Sequence, residues 1–86
     1  MVDYMDAFEL TRDLLKTAMQ LGDRAEKLTR DTPLMNGFPE FNSLTVVGIM
    51  AGIEEQLGCE IDDFEINEDV FQTVGSLADF VKKKMS

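Results

Sequence analysis

An all-α fold, a small antiparallel bundle of three main helices plus one short helix, is predicted by three features of these 86 residues. Two segments place apolar side chains at helical spacing. A third is apolar on most of its faces and is bracketed by helix-capping residues. No stretch alternates in the manner of a half-buried strand. A chain this short holds one core, so residues 1–86 are expected to form a single domain.

The first helix is predicted from Ala7, Phe8, Thr11, Leu14, Leu15, Ala18 and Leu21, which share one face. Asp6, Glu9, Arg12, Asp13 and Lys16 fall on the others. Asp3 or Asp6 suits its N-cap, and Gly22 suits its end, because glycine enters the left-handed region at no steric cost. A long loop follows over 22–42, with Pro33, Pro39 and the turn pair Asn36-Gly37. Loops of this length usually contain short helical pieces, and 24–29 is the candidate. Leu28, Leu34, Met35, Phe38 and Phe41 are the expected pegs that pin the loop to the core.

The second helix is predicted over 43–57, with Asn42 as N-cap and Gly58 just past the end. Leu44, Val46, Val47, Ile49, Met50, Ala51, Ile53 and Leu57 leave only Glu54, Glu55 and Gln56 as a charged or amide-bearing side. Such a helix is usually central in a bundle, or it offers part of its surface to a partner. Gly48 and Gly52 each cost ~1 kcal/mol relative to alanine, which points to close packing or a widened groove. Residues 61–70 suit a short helix or turn. A last helix starts after Thr73, with Val74, Leu77, Phe80 and Val81 on one side. Lys82, Lys83 and Lys84 complement the negative end of its dipole.

Charge is unevenly placed. The net value is −9; residues 1–39 contribute −2 and residues 40–86 contribute −7, and the basic residues of that second part are the three closing lysines. Such a field repels nucleic acid and anionic lipid, and it steers basic protein surfaces toward the chain. The absence of histidine removes histidine acid–base catalysis and the usual nucleophile pairs. A single cysteine, Cys59, allows no internal disulfide and reads as a small hydrophobe. No apolar run reaches the ~20 residues of a membrane span, and the start is too polar for a signal peptide. A cytoplasmic monomer is expected.

The acidic stretch 62–69 does not make a calcium loop. Counting from Asp63, the sixth position is Glu68 rather than glycine and the twelfth is Val74 rather than glutamate. No metal site and no catalytic residue is predicted, Glu54 and Glu55 being read as solvent-facing helix charge.

Ser43 is the residue that points to a function. A hydroxyl at a helix N-terminus faces unpaired backbone N–H groups and the positive end of the dipole, a natural place for a phosphodiester. Asn42-Ser43-Leu44, the apolar helix, Glu54-Glu55, Gly58, Glu60-Ile61-Asp62 and the Thr73-capped last helix together resemble the acyl carrier protein family. The resemblance runs from about Leu34 to Lys83, with a first helix alike in length and amphipathicity.

The resemblance implies that Ser43, flanked by Asn42 and Leu44, carries 4′-phosphopantetheine delivered from coenzyme A by a phosphopantetheinyl transferase that requires Mg²⁺. Acyl groups are then held on it as thioesters, for use by acyl-carrier synthetases or synthases and acyltransferases in fatty acid or other lipid biosynthesis. Val46, Val47, Met50, Ile53, Ile61 and Phe71 are the candidates for lining an acyl pocket. Leu44, Val47, Glu54, Glu55 and Glu60 are the candidates for partner docking. Asn42 replaces the aspartate usual before the serine, and Thr45 and Gly48 replace acidic docking residues. These departures imply a specialised carrier for a dedicated lipid, envelope or secondary-metabolite pathway. A peptidyl or aminoacyl carrier, or an unmodified acidic binding module, are the alternatives.

Overall fold

A computed structural model describes residues 6–35, 37–38 and 41–85. In it the chain folds as an all-helical bundle. Helix α1 spans Ala7–Ala18, α2 spans Ser43–Leu57 and α3 spans Val74–Met85. Two short 3₁₀ turns, Gly22–Lys27 and Asp63–Glu65, lie between them, and there is no named strand among the described residues. The first turn overlaps the segment 24–29 expected to be helical within the long loop, but starts and ends two residues earlier. The second falls within 61–70, where a short helix or turn is expected, and turn structure follows it from position 68.

Asp6 starts α1 through a capping box. Its carboxylate accepts the Glu9 N–H at 2.8 Å while the Glu9 carboxylate accepts the Asp6 N–H at 3.4 Å. Asp3 lies outside the described residues, as do Asn36, Pro39 and Glu40. The predicted end at Gly22 is wrong. α1 closes at Ala18, and Gln20 takes the left-handed conformation with φ 53°. The Leu21 N–H then reaches back to the Lys16 carbonyl at 3.0 Å, which is a Schellman closure. A left-handed non-glycine residue costs roughly 1–2 kcal/mol. Turning early buries Met19 and Leu21, and each buried side chain of that size contributes about 1.5–3 kcal/mol. Burial wins.

The core joins all three helices. Leu10 and Leu15 of α1, Ile49 and Ile53 of α2, and Leu77 and Val81 of α3 are its backbone. α1 packs most extensively on α3, and α2 touches α3 least. Thr11 is buried with its hydroxyl donating to the Ala7 carbonyl at 2.6 Å, so its polar atom is satisfied.

α2 is not the central helix. Only Thr45, Ile49 and Ile53 are buried, one stripe at helical spacing. Gly52 does serve close packing, since a Cβ there would stand 2.7 Å from Leu14 Cδ2. Gly48 faces open space, with nothing within 4 Å of where its Cβ would be.

Of the loop pegs, Leu28 and Leu34 are buried and Phe38 and Phe41 pack partly on the core, but Met35 is exposed. The loop is clipped to the start of α3 by main chain. Leu34 N–H donates to the Gln72 carbonyl, Val74 N–H to Thr32, and Gly75 N–H to Arg30, each at 2.9 Å. Thr73 caps α3 as expected: its hydroxyl accepts the Ser76 N–H at 3.1 Å, and Ser76 Oγ accepts the Thr73 N–H at 3.0 Å.

Candidate functional site

The N-terminus of α2 is fixed from both sides. Asn42, extended at φ −137°, aims its Oδ1 into the first turn, where it accepts the Leu44 N–H at 2.9 Å and the Thr45 N–H at 3.1 Å. Its carbonyl accepts the Val46 N–H at 3.0 Å. One residue earlier, the Phe41 ring leans on buried Phe71 with centroids 5.7 Å apart. The cap sets the helix start, and the ring contact ties it to the segment that leads into α3.

Ser43 is thereby placed as the first residue of a fifteen-residue helix and is exposed to solvent. No described residue pairs with its hydroxyl. Because Asn42 occupies the Leu44 and Thr45 amides, the positive pole that remains at Ser43 is its own N–H together with the dipole. No acidic residue stands in the first turn of α2. Leu44 is 81% exposed and Val47 64% exposed, and Ala51 continues the same strip toward the helix end. An oxygen nucleophile therefore stands at a positive helix end beside a bare apolar face.

Five of the six pocket candidates belong to the interior. Ile53, Ile61 and Phe71 are buried, and Val46 and Met50 pack partly against them. Val47 does not belong there: it points to solvent, on the opposite side of α2 from Ile49 and Ile53. Clefts lined by described residues open elsewhere, of about 490 Å³ between α1 and the first 3₁₀ turn, about 530 Å³ beside the second turn and α3, and about 280 Å³ between α1 and α2. None is lined by the pocket candidates.

The docking candidates separate likewise. Leu44, Val47, Glu55 and Glu60 are exposed. Glu54 is half-buried, and its Oε2 accepts the Ile61 N–H at 2.9 Å, so this carboxylate is occupied inside the protein.

Two features had no counterpart in the sequence reading. Phe64, on the second 3₁₀ turn, is 83% exposed. Glu65 beside it pairs with Lys84 of α3 at 2.9 and 3.2 Å, each side chain keeping 17% of its exposure. The Asp62 N–H bonded to Glu65, and then Lys84, hold that carboxyl below the ordinary glutamate range. The same pair raises Lys84. No local signal predicts a pair nineteen residues apart.

Among the described residues no cluster of three or more metal-ligating side chains occurs, and no helix is long and apolar enough to cross a membrane. Cys59 is a free thiol, half-buried.

No protein-family model and no curated relative matches the sequence. A solved structure does. The solution NMR structure of a holo acyl carrier protein from Nitrosomonas europaea is 37% identical and superposes with a TM-score of 0.84. The match covers 94% of this chain and 98% of that one. Matched in fold over nearly the whole length of both proteins and at this identity, the chain belongs to the acyl carrier protein family.

Proposed function

We propose that this protein carries acyl groups on a 4′-phosphopantetheine arm attached to Ser43 and is not itself an enzyme. The observation that supports this most directly is the Ser43 hydroxyl, exposed as the first residue of α2 and without a partner among the described residues. The surroundings fit a phosphodiester. The helix dipole and the Ser43 N–H favour its negative charge, and the first turn holds no carboxylate to repel it. Asn42 keeps the turn wound without adding charge. Leu44 and Val47 offer an apolar landing strip next to the modified serine, where a partner enzyme gains most from burying surface. When bound, the arm supplies a mobile thiol for thioester formation, which half-buried Cys59 does not.

The absence of acidic residues from the first turn of α2 favours a specialised carrier. Its exposed carboxylates, Glu55 and Glu60, lie toward and beyond the far end of that helix, so partners with mixed basic and apolar surfaces are expected there. The single domain acts as a monomer in the cytoplasm, within a dedicated lipid, envelope or secondary-metabolite pathway.

Intact-mass measurement after incubation with coenzyme A, Mg²⁺ and a broad-specificity phosphopantetheinyl transferase tests the reading. The wild type should gain the mass of one arm and Ser43→Ala none. No gain with several transferases, or a gain that survives Ser43→Ala, would remove it.

A further inference from the structure

The connection that leaves α2 is tied back to Glu54. The Glu54 carbonyl accepts the Gly58 N–H at 2.8 Å and the Cys59 N–H at 3.3 Å, bonds that any residue at this place in the helix would make. Its side chain adds a bond that few residue types can make. Glu54 Oε2 reaches seven positions on and accepts the Ile61 N–H at 2.9 Å. The next amide, Asp62 N–H, donates to Glu65 Oε2 at 3.0 Å, and Lys84 grips Glu65 from α3. Two consecutive amides in a segment without secondary structure thus rest on two carboxylates. One is on α2; the other is tied to α3.

The consequence falls on Ile61. Its side chain is buried in the core cluster that includes Ile53, the residue just before Glu54, and Phe71. Backbone in an irregular segment must find its hydrogen bonds outside itself, and the Ile61 amide finds one in a half-buried carboxylate. A carboxylate that accepts one N–H still has lone pairs open to a competing cation. The chain offers such a cation strong attraction, because residues 40–81 carry no basic side chain.

We propose that Glu54 is a positioning residue, a latch that keeps Ile61 seated over the interior. A basic side chain of a docked partner that draws the carboxylate outward frees the Ile61 amide and opens the core behind it. This rests on the carrier reading only for its purpose, the passage of an apolar acyl chain. The latch itself belongs to the unmodified protein and is tested there.

Amide hydrogen exchange followed by NMR on the full, unmodified chain reads it out. In Glu54→Ala the Ile61 amide should exchange about tenfold faster or more, the loss expected for a hydrogen bond to a charged acceptor. In Glu54→Gln the side-chain oxygen still accepts, so the rate should stay within about twofold of wild type. Glu55→Gln, one position along and without a latch, should match the wild type, and the Leu77 and Val81 amides of α3 should not change in any variant. An unchanged Ile61 rate in Glu54→Ala overturns the latch. So does an equal acceleration of Ile61, Leu77 and Val81, which would make the bond part of overall stability. A penta-arginine peptide stands in for the basic partner. It should speed Ile61 exchange in the wild type but not in Glu54→Gln, and no effect, or an equal effect in both, overturns the partner-driven opening. Arm attachment at Ser43 is scored separately by mass, so neither result decides the other.

Discussion

Replacing Asn42 tests how the serine is presented. Its Oδ1 satisfies two first-turn amides, at 2.9 and 3.1 Å. Asn42→Ala strips both of their acceptor, and loss of an N-cap side chain costs about 1 kcal/mol, within a range of about 0.5–2. For a domain of this size 1 kcal/mol moves Tm by about 4–8 °C, so Asn42→Ala should melt about that much lower. Asn42→Asp keeps the acceptor geometry and adds a negative charge at the positive pole, worth about 0.3–1 kcal/mol at low salt. No acidic residue in the first turn opposes that gain, so Asn42→Asp should melt a few degrees higher than wild type. Thermal unfolding followed by circular dichroism at low and high salt separates the two terms. The Asp gain should shrink as salt rises, because charge–dipole attraction is screened, whereas the Ala loss should persist. An Asn42→Ala protein that melts with the wild type would refute the capping argument. A salt-independent rise in Asn42→Asp would refute the dipole argument.

The glycines give a second comparison. Gly48→Ala fills empty space in a helix interior and should raise stability by about 1 kcal/mol. In Gly75→Ala the new Cβ would lie 2.8 Å from the Arg30 carbonyl oxygen, in a loop held by its own backbone bonds. Losing one or two of those bonds costs about 1–3 kcal/mol, so urea midpoints should move in opposite directions for the two variants. Titration supplies a third. The Glu65 pKa is depressed in the folded chain, so its contribution is present above the ordinary glutamate value, about 4.3, and is lost as pH falls through the lower folded value. Lys84→Met should move the Glu65 midpoint up in a carboxyl NMR titration, and an unmoved midpoint would show that the ion pair does not matter there.

Much of the fold is legible in local chemistry. Asn42, Ser43 and Gly58 mark α2 to the residue because caps and left-handed glycines act on adjacent backbone. Thr73 marks α3 for the same reason. The end of α1 was hidden because burial of Leu21 is a tertiary demand, and it overrode the glycine signal two residues later. The exposed strip of Leu44 and Val47 was pointed to by the family resemblance and not by the apolar pattern, since a pattern does not say which residues find a neighbour. Glu54 looked like one surface charge of two. Only the path of the chain after Gly58 turns it toward the Ile61 amide.

The clip between the loop and α3 has an evolutionary side. Its three bonds run from main chain to main chain, so no side-chain polar group at positions 30, 32 or 34 takes part in them. Exposed positions there are free to drift while the path of the chain stays put. The cost of that freedom collects on one residue across the joint. Gly75 has no room for a side chain, so it is the position where drift should stop.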